Sequence, residues 1–353
     1  MDAHVAVITR TKNRPILLPR AFESVRGQTY KDFIWVIVND GGDHHPVDEI
    51  IGKAQSAQIK TKVIHNTDSI GMEAASNKGI KQVGSEYVTI HDDDDTWEPH
   101  FLERTVAFLD EQETYDGVIT HSTAIDEVVT EEGWKIVGRS PFNAWRDTVN
   151  LSDLAQINNF PPISFLFRRR IYEDVKGFNE SLPVLGDWDF NLRFLLRADI
   201  GVIPEPLANY HWRVELSDNQ LEYANTVSHG VAQHISYNTL IRNRYLREDL
   251  KEGRVGLGLL LAMGRNHRRL NDRISELFDR QVQLADCQSQ LADSQSQLAN
   301  SQSQLADSQS QLADSQSQLA DFRAELEIFH QSRSWKLTAP LRYAYDLLRR
   351  ILK

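Results

Sequence analysis

The chain has 353 residues, with 39 Lys and Arg against 50 Asp and Glu, a formal net charge of −11 and 41% hydrophobic residues. That length fits two domains or one domain with appendages, and the acidic balance argues against a binder of phosphate backbones, so no nucleic-acid partner is expected. The single cysteine, Cys287, can form neither an internal disulfide nor a cysteine zinc site; with no basic-then-apolar leader and no apolar run near the ~20 residues of a spanning helix, a cytoplasmic protein is expected.

Val5 to Ile8 reads as a short strand, and Leu18, Phe22 and Val25 mark one face of the helix after it. Phe33 to Val38 is continuously apolar, as in a strand buried on both faces. Thr61 to His65 and Tyr87 to Ile90 are two further strands, with a helix from about Glu73 to Val83 between them. Another helix follows Pro99, carrying Leu102, Val106 and Leu109 on one face. Strands alternating with helices predict an α/β fold with a mostly parallel sheet. Residues 111–215 are less regular; a strand at Ile163 to Phe167 and a helix from about Trp188 to Arg197 complete the same core. The expected divisions are therefore a sheet domain over 1–215, in halves meeting near 110, and a basic helical extension over 216–275.

From Gln283 the chain repeats Gln-Leu-Ala-(Asp/Asn) every seven residues, and leucine recurs at that spacing from Leu270 to Leu326. A strict period of seven predicts a left-handed coiled coil over 276–330 and hence a homo-oligomer. Leu at d puts Gln at a; Leu at a puts Ser at d; and a disordered Gln/Ser-rich spacer is the alternative to either. As a helix, Gln283 to Leu326 would span roughly 65 Å at ~1.5 Å per residue. Cys287 replaces a repeat serine. The last segment, 331–353, sets Arg333, Lys336, Arg342, Arg349, Arg350 and Lys353 against Asp346 alone, with Trp335, Leu337, Leu341, Tyr345, Leu348 and Leu352 as an apolar face. Such a helix suits an anionic membrane surface; packing back on the protein is the other reading.

Chemistry concentrates in a few places. His91-Asp92-Asp93-Asp94-Asp95 follows a strand, and adjacent carboxylates repel unless a cation or water screens them. Strand alternation would put Asp92 and Asp94 on one face, a pair suited to Mg²⁺ or Mn²⁺; a solvated acidic turn is the alternative. Asn39-Asp40-Gly41-Gly42 ends the buried strand, at the sheet edge where α/β folds bind ligands. Asp40 there can accept from a base or ribose, or belong to an ordinary Asp-Gly turn. Gly71 and Gly79 bracket a helix start that includes Asn77, and no P-loop or Gly-x-Gly-x-x-Gly occurs. Asp187, in Gly186-Asp-Trp-Asp189, reads either as a helix N-cap or as a general base beside Trp188. His211, in Tyr210-His-Trp-Arg213, is a metal ligand or a structural histidine.

Taken in order, Val5 to Arg14, Ser24 to Tyr30, Val38 to Gly42, Gly71 to Gly79, His91 to Pro99, Gly177 to Glu180 and Gly186 to Phe190 closely resemble family 2 glycosyltransferases of the GT-A fold, over about residues 3–213. The resemblance implies a nucleotide-sugar donor handled by 1–110, an acceptor half over 111–215, a divalent metal, Mn²⁺ or Mg²⁺, and inversion at the anomeric carbon. It implies that Thr9, Arg10, Thr11, Arg14 and Asp40 contact the nucleoside, with Gly71, Asn77, Asp92 and Asp93 completing the donor set. Asp92 and Asp94 match the Asp-x-Asp metal motif, with His211 as a further ligand. Asp187 matches the catalytic base, with Trp188 and Asp189 on the acceptor side. This chain departs from the pattern at Asn39, where many members have Asp, at Gly186, where many have Glu, and in the order of Tyr210 to Arg213. Ser332 to Arg342 resembles a tail found after coiled coils in bacterial surface-polysaccharide transferases. The expected setting is O-antigen-type synthesis on a glycan or polyprenyl-linked glycan acceptor, peripherally at the inner face of the cytoplasmic membrane. A scaffold with a degenerate transferase domain is the alternative.

Overall fold

The computed structural model describes residues 2–130, 133–216, 223–225 and 230–351. The expected start of the helical extension falls partly, and Leu352 and Lys353 of the tail wholly, outside the described residues.

Strands β1 (Val5–Thr11), β2 (Phe33–Asp40), β3 (Lys60–Asn66) and β4 (Tyr87–Ile90) run parallel in the order β3-β2-β1-β4. Val5 is level with both Phe33 and Tyr87, and Ile8 with Ile90, so β1, β2 and β4 end at one edge. Helices α1 (Leu18–Arg26), α2 (His45–Ser56), α3 (Met72–Lys81) and α4 (Phe101–Glu111) connect and cover them. Side chains alternate along the strands. Val5, Val7, Trp35 and Ile37 therefore pack with α1, α2 and α4, while Ala6, Ile8, Val36 and Val38 pack with α3 on the other face. Each large apolar side chain buried this way contributes roughly 1.5–3 kcal/mol.

The second half extends the same sheet. After the short β5 (Thr96–Trp97), the long β6 (Tyr115–Thr130) pairs with β7 (Gly133–Pro141), with β8 (Phe165–Arg168) and with β9 (Asp199–Glu215). The pairing β4·β8·β6 is antiparallel and β6·β9 parallel, so the sheet is mixed. Short helices α5 (Leu151–Leu154) and α6 (Arg169–Asp174) and the longer α7 (Gly186–Leu195) cover the face that α3 covers. Residues 111–215 are thus far more regular than their composition suggests. Asp187 is not the N-cap of α7: Leu185, in the left-handed region at φ 62°, takes that place, and Asp187 stands in the first turn.

Helix α8 (Val231–Lys251) packs on the sheet domain. Ile241 is buried in the core beneath α7, Arg242 donates to the Ala155 and Gln156 carbonyls at 2.8 and 2.7 Å, and Arg244 donates to Asp189 Oδ1 at 2.6 Å. The chain divides after Glu252, later than the boundary expected near 215. The second unit is helical: α9 (Leu257–Gln331) runs 75 residues, followed by α10 (Arg333–Leu337), capped by the Ser332 hydroxyl, and α11 (Ala339–Ile351). No side chain of α9 is buried. No helix among the described residues is long and apolar enough to cross a membrane.

If α8 is integral to the sheet domain, Ile241→Ala should lower its unfolding free energy by about 2–5 kcal/mol. Urea melts followed by circular dichroism read this, and an unchanged midpoint would detach α8 from the core.

Candidate active site

The site gathers where β1, β2 and β4 end. The backbone leaves β4 after Ile90 and turns through Asp92–Asp95, so strand alternation no longer orders the carboxylates. Asp92 and Asp94 do not share a face as expected; Asp93 and Asp94 instead share the Arg14 guanidinium, at 3.1 and 3.4 Å. Asp92 accepts from Arg10 Nε at 2.8 Å and Nη2 at 3.4 Å. Asp94 is ion-paired with the fully buried Arg213, and its carbonyl accepts from Arg20. Asp95 accepts the His211 backbone N–H at 2.9 Å.

Three of the four carboxylates, those of Asp92, Asp93 and Asp94, are thus compensated by arginines, and Asp95 by a backbone N–H. Burial works against the charge of Arg10, yet Asp92 and Glu73 raise its pKa beyond the ordinary arginine value. Burial likewise opposes ionisation of Asp94, but Arg213 and Arg14 hold its carboxyl well below the usual range. Asp93 goes the other way: burial pushes it up to about 6, against the pull of Arg14, and its Oδ2 has no hydrogen-bond partner among the described residues.

The ion-binding trio expected from the sequence does not come together. His211 Nδ1 meets Glu127 Oε1 at 2.6 Å and Nε2 meets Thr96 Oγ1 at 2.9 Å, so both ring nitrogens are committed. A hard divalent ion takes several oxygen ligands. Among the described residues no three His, Cys, Asp or Glu side chains gather as such a set. As arranged, Asp92 and Asp94 face guanidinium groups and His211 is held by Glu127 and Thr96, so the three are not a ready ligand set for a divalent ion.

Other expected site residues are drawn into the scaffold. Thr9 is buried and its hydroxyl accepts from Trp35 Nε1 at 2.8 Å. Asp40 accepts four hydrogen bonds, from Asn66, Ser69 and the backbone N–H groups of Ile70 and Gly71. Those donors outweigh burial and lower its pKa, and they leave a carboxylate with no spare capacity for a base. Gly71, at φ 96°, opens α3 from a backbone conformation that favours glycine. Asn77 spends its amide on Phe178, Tyr172 and Glu180. Trp188 is buried, donating to the Leu154 carbonyl at 2.6 Å beneath the Arg242 guanidinium. Asp189 is fully buried between Arg193 and Arg244. Both contact arginines of α8, Trp188 through Arg242 and Asp189 through Arg244. Thr11 and Arg14 do line an open cleft, together with Asn13, Asp43 and Val47.

Asp187 stays at the site. Its Oδ2 accepts from Asn158 Nδ2 at 2.6 Å, and burial raises its pKa against the Trp188 N–H, the Asn158 amide and the charge of Arg10. A carboxylate with a raised proton affinity, oriented by one amide, is suited to act as a base. Sequence reasoning missed Glu73, Arg20, Glu127, Asn158 and Arg213. The buried Glu127, which binds Arg20 at 2.7 and 2.8 Å, carried no signal in its strand sequence. Tyr210 was read only as part of a motif; burial, then Asp95 and Asp94, raises its pKa far above the usual phenol value, and Asp187 adds to this.

The glycosyl transferase family 2 model matches residues 6–176. The uncharacterized glycosyltransferase YwdF of Bacillus subtilis is 30% identical over 192 residues, covering 54% of this chain and 67% of that protein. A PGL/p-HBAD biosynthesis glycosyltransferase of Mycobacterium bovis is 24% identical over 270 residues, 76% of this chain and 92% of that one. A crystal structure of S. aureus TarS is similar in fold, with a TM-score of 0.50 at 21% identity, over 59% of this chain and 60% of that chain. The match thus spans less than two thirds of the TarS chain.

Because arginines already neutralise the acidic turn, Mn²⁺ added alone should leave the melting temperature unchanged. A clear rise with Mn²⁺ and no nucleotide would show an ion site ready in the free protein.

Proposed function

The chain belongs to glycosyl transferase family 2, and on that premise we propose that this glycosyltransferase moves a sugar from a nucleotide-sugar donor to a hydroxyl of a glycan or lipid-linked glycan, with inversion, in O-antigen-type surface polysaccharide synthesis. The observation that carries the reading is Asp187, half-buried, raised in proton affinity and within the electrostatic reach of Arg10 and Asp92 at the edge where β1 and β4 end. The acceptor oxygen attacks the anomeric carbon from the side opposite the nucleotide. As that bond forms, the hydroxyl proton passes to Asp187, and the bond to the diphosphate breaks with its electron pair leaving on the phosphate oxygen. Arg10 and Arg14 supply the positive charge that meets the departing diphosphate. The cleft lined by Thr11 and Arg14 is the proposed place of the nucleoside. Metal dependence, expected from the sequence, would draw on the Asp92 carboxylate, which Arg10 holds in this structure.

A thermal-shift panel of UDP-, dTDP- and GDP-sugars, with and without Mn²⁺, identifies the donor by mass action. With that donor, Asp187→Asn should keep fold and donor affinity and lower turnover by roughly 100- to 10,000-fold, because an amide cannot take the proton. Near-normal release of nucleoside diphosphate by Asp187→Asn would remove it from the role of base.

For the second unit we infer self-association and a membrane surface. Leu284, Leu291, Leu298, Leu305, Leu312 and Leu319 are all more than half exposed on a helix that buries nothing, and a seven-residue leucine seam is relieved by a second copy. Beyond it, Trp335 is stacked by Arg342, and Leu337, Leu341, Tyr345 and Leu348 lie exposed among basic residues. Several such tails on one coil would hold the protein peripherally at the inner face of the cytoplasmic membrane more strongly than one. A variant ending at Gln331 should stay oligomeric by light scattering but fail to float with anionic vesicles, and flotation of the full chain should weaken with salt. Salt-insensitive flotation would count against the basic tail, and a monomeric full chain against the coil.

A further inference from the structure

Gly186 opens α7 immediately before Asp187, and its backbone does not need glycine: it is not among the residues with positive φ. What the position needs is the absence of a side chain. A Cβ there would lie 2.5 Å from Glu73 Oε1 and nearer still to the Cγ and Cδ of the same residue. The carboxyl of Glu73, reaching across from the first turn of α3, fills the volume that a side chain at 186 would take.

Packing alone does not account for an acid in that volume. The Glu73 side chain is only 4% exposed, and its Oε2 has no hydrogen-bond partner among the described residues. Its ion-pair partner is Arg10 Nη1, at the long distance of 3.7 Å. A buried carboxylate oxygen held only by a long ion pair is costly, and an apolar side chain of similar size would avoid that cost. Burial first, and then the nearby charges of Asp187 and Asp92, push this carboxyl up to about 7 against the pull of Arg10.

We propose that Glu73 is the positioning partner of Asp187, supplying from α3 the second carboxyl that residue 186 lacks. Arg10 stands between Asp92 and Glu73 and also reaches Asp187 electrostatically. By sharing Arg10, Glu73 keeps that cation from neutralising the base. Its Oε2 faces Arg10, while Oε1 lies against residue 186, and the carboxyl is within electrostatic reach of Asp187. The inference rests on the reading of Asp187 as base.

The test is a cycle in the full-length protein: wild type, Glu73→Ala, Gly186→Glu and the double variant, with Asp187→Asn alongside. Melting temperature is read for all, and nucleoside diphosphate release is measured with UDP-glucose, UDP-N-acetylglucosamine and GDP-mannose as probes. Gly186→Glu alone should melt lower, because two side chains compete for one volume; in the Glu73→Ala background that loss should disappear. Glu73→Ala should lower kcat by roughly 10- to 100-fold with little change in donor KM, and Gly186→Glu should restore most of it in the double variant. Rescue by a carboxyl from the other chain position is a result that a purely structural Glu73 cannot give. Wild-type kcat in Glu73→Ala beside an inactive Asp187→Asn overturns the inference alone, as does a double variant no more active than Glu73→Ala. Normal turnover by Asp187→Asn overturns the base assignment, and the inference with it.

Discussion

Four consecutive aspartates at the end of a buried strand are the constraint on which the rest of the domain depends. Asp93, Asp94 and Asp95 are almost wholly removed from solvent. Burying adjacent carboxylates is affordable only if cations and N–H groups surround them. The structure meets this by converging four arginines from separate parts of the chain. Arg10 comes from β1, Arg14 from the loop after it, Arg20 from α1 and Arg213 from β9. The same demand explains why β9 returns to lie beside β6. Arg213, fully buried, reaches Asp94 only because the strand carries it back under the turn, and β9 also brings the His211 N–H to Asp95.

The parallel half was legible because its code is simple. Phe33 to Val38 is apolar on both faces and has one plausible fate, and Val5 to Ile8 and Tyr87 to Ile90 follow suit. The antiparallel half was not, because its strands carry the polar lining of the site. His121, Glu127, Asn209, His211 and Arg213 lie within β6 and β9 and read as loop residues until their partners are seen. The motif positions were legible as positions and less so as contacts. Asp187 stands half-buried with one amide donor, whereas Thr9, Asp40, Asn77, Trp188 and Asp189 spend their polar groups on neighbouring backbone and side chains. Sequence shows where a hydrogen-bonding group stands; it does not show which neighbour reaches it first. The alternation rule failed at Asp92–Asp95 for a local reason, since it applies only while the backbone stays extended.

The second unit inverts this relation. Its sequence is almost all periodicity, and the helix from Leu257 to Gln331 follows from that period and from Leu, Ala and Gln propensity. Repeat serines 294, 301, 308 and 315 return their hydroxyls to the carbonyl four residues back, which satisfies them without a partner. The leucines have no such internal remedy. An α-helix of about 110 Å at 1.5 Å per residue gains nothing from its own tertiary packing, so its apolar seam is the feature that asks for another chain.

The arginine-compensated turn also bears on how an anionic donor could bind a chain of net charge −11. Long-range attraction is unfavourable, so affinity must come from local exchange. A diphosphate entering beside Arg10 and Arg14 does not meet bare cations; it competes with Asp92 and Asp93 for guanidiniums already in use. Exchange of one anion for another costs less than creating a new buried ion pair, because the cations are desolvated before the ligand arrives. It also frees carboxylate oxygen at Asp92, the member of the turn with the most exposed side chain among those ion-paired here, at 21%. As the structure stands, Arg10 is shared by Asp92 and Glu73, within electrostatic reach of Asp187.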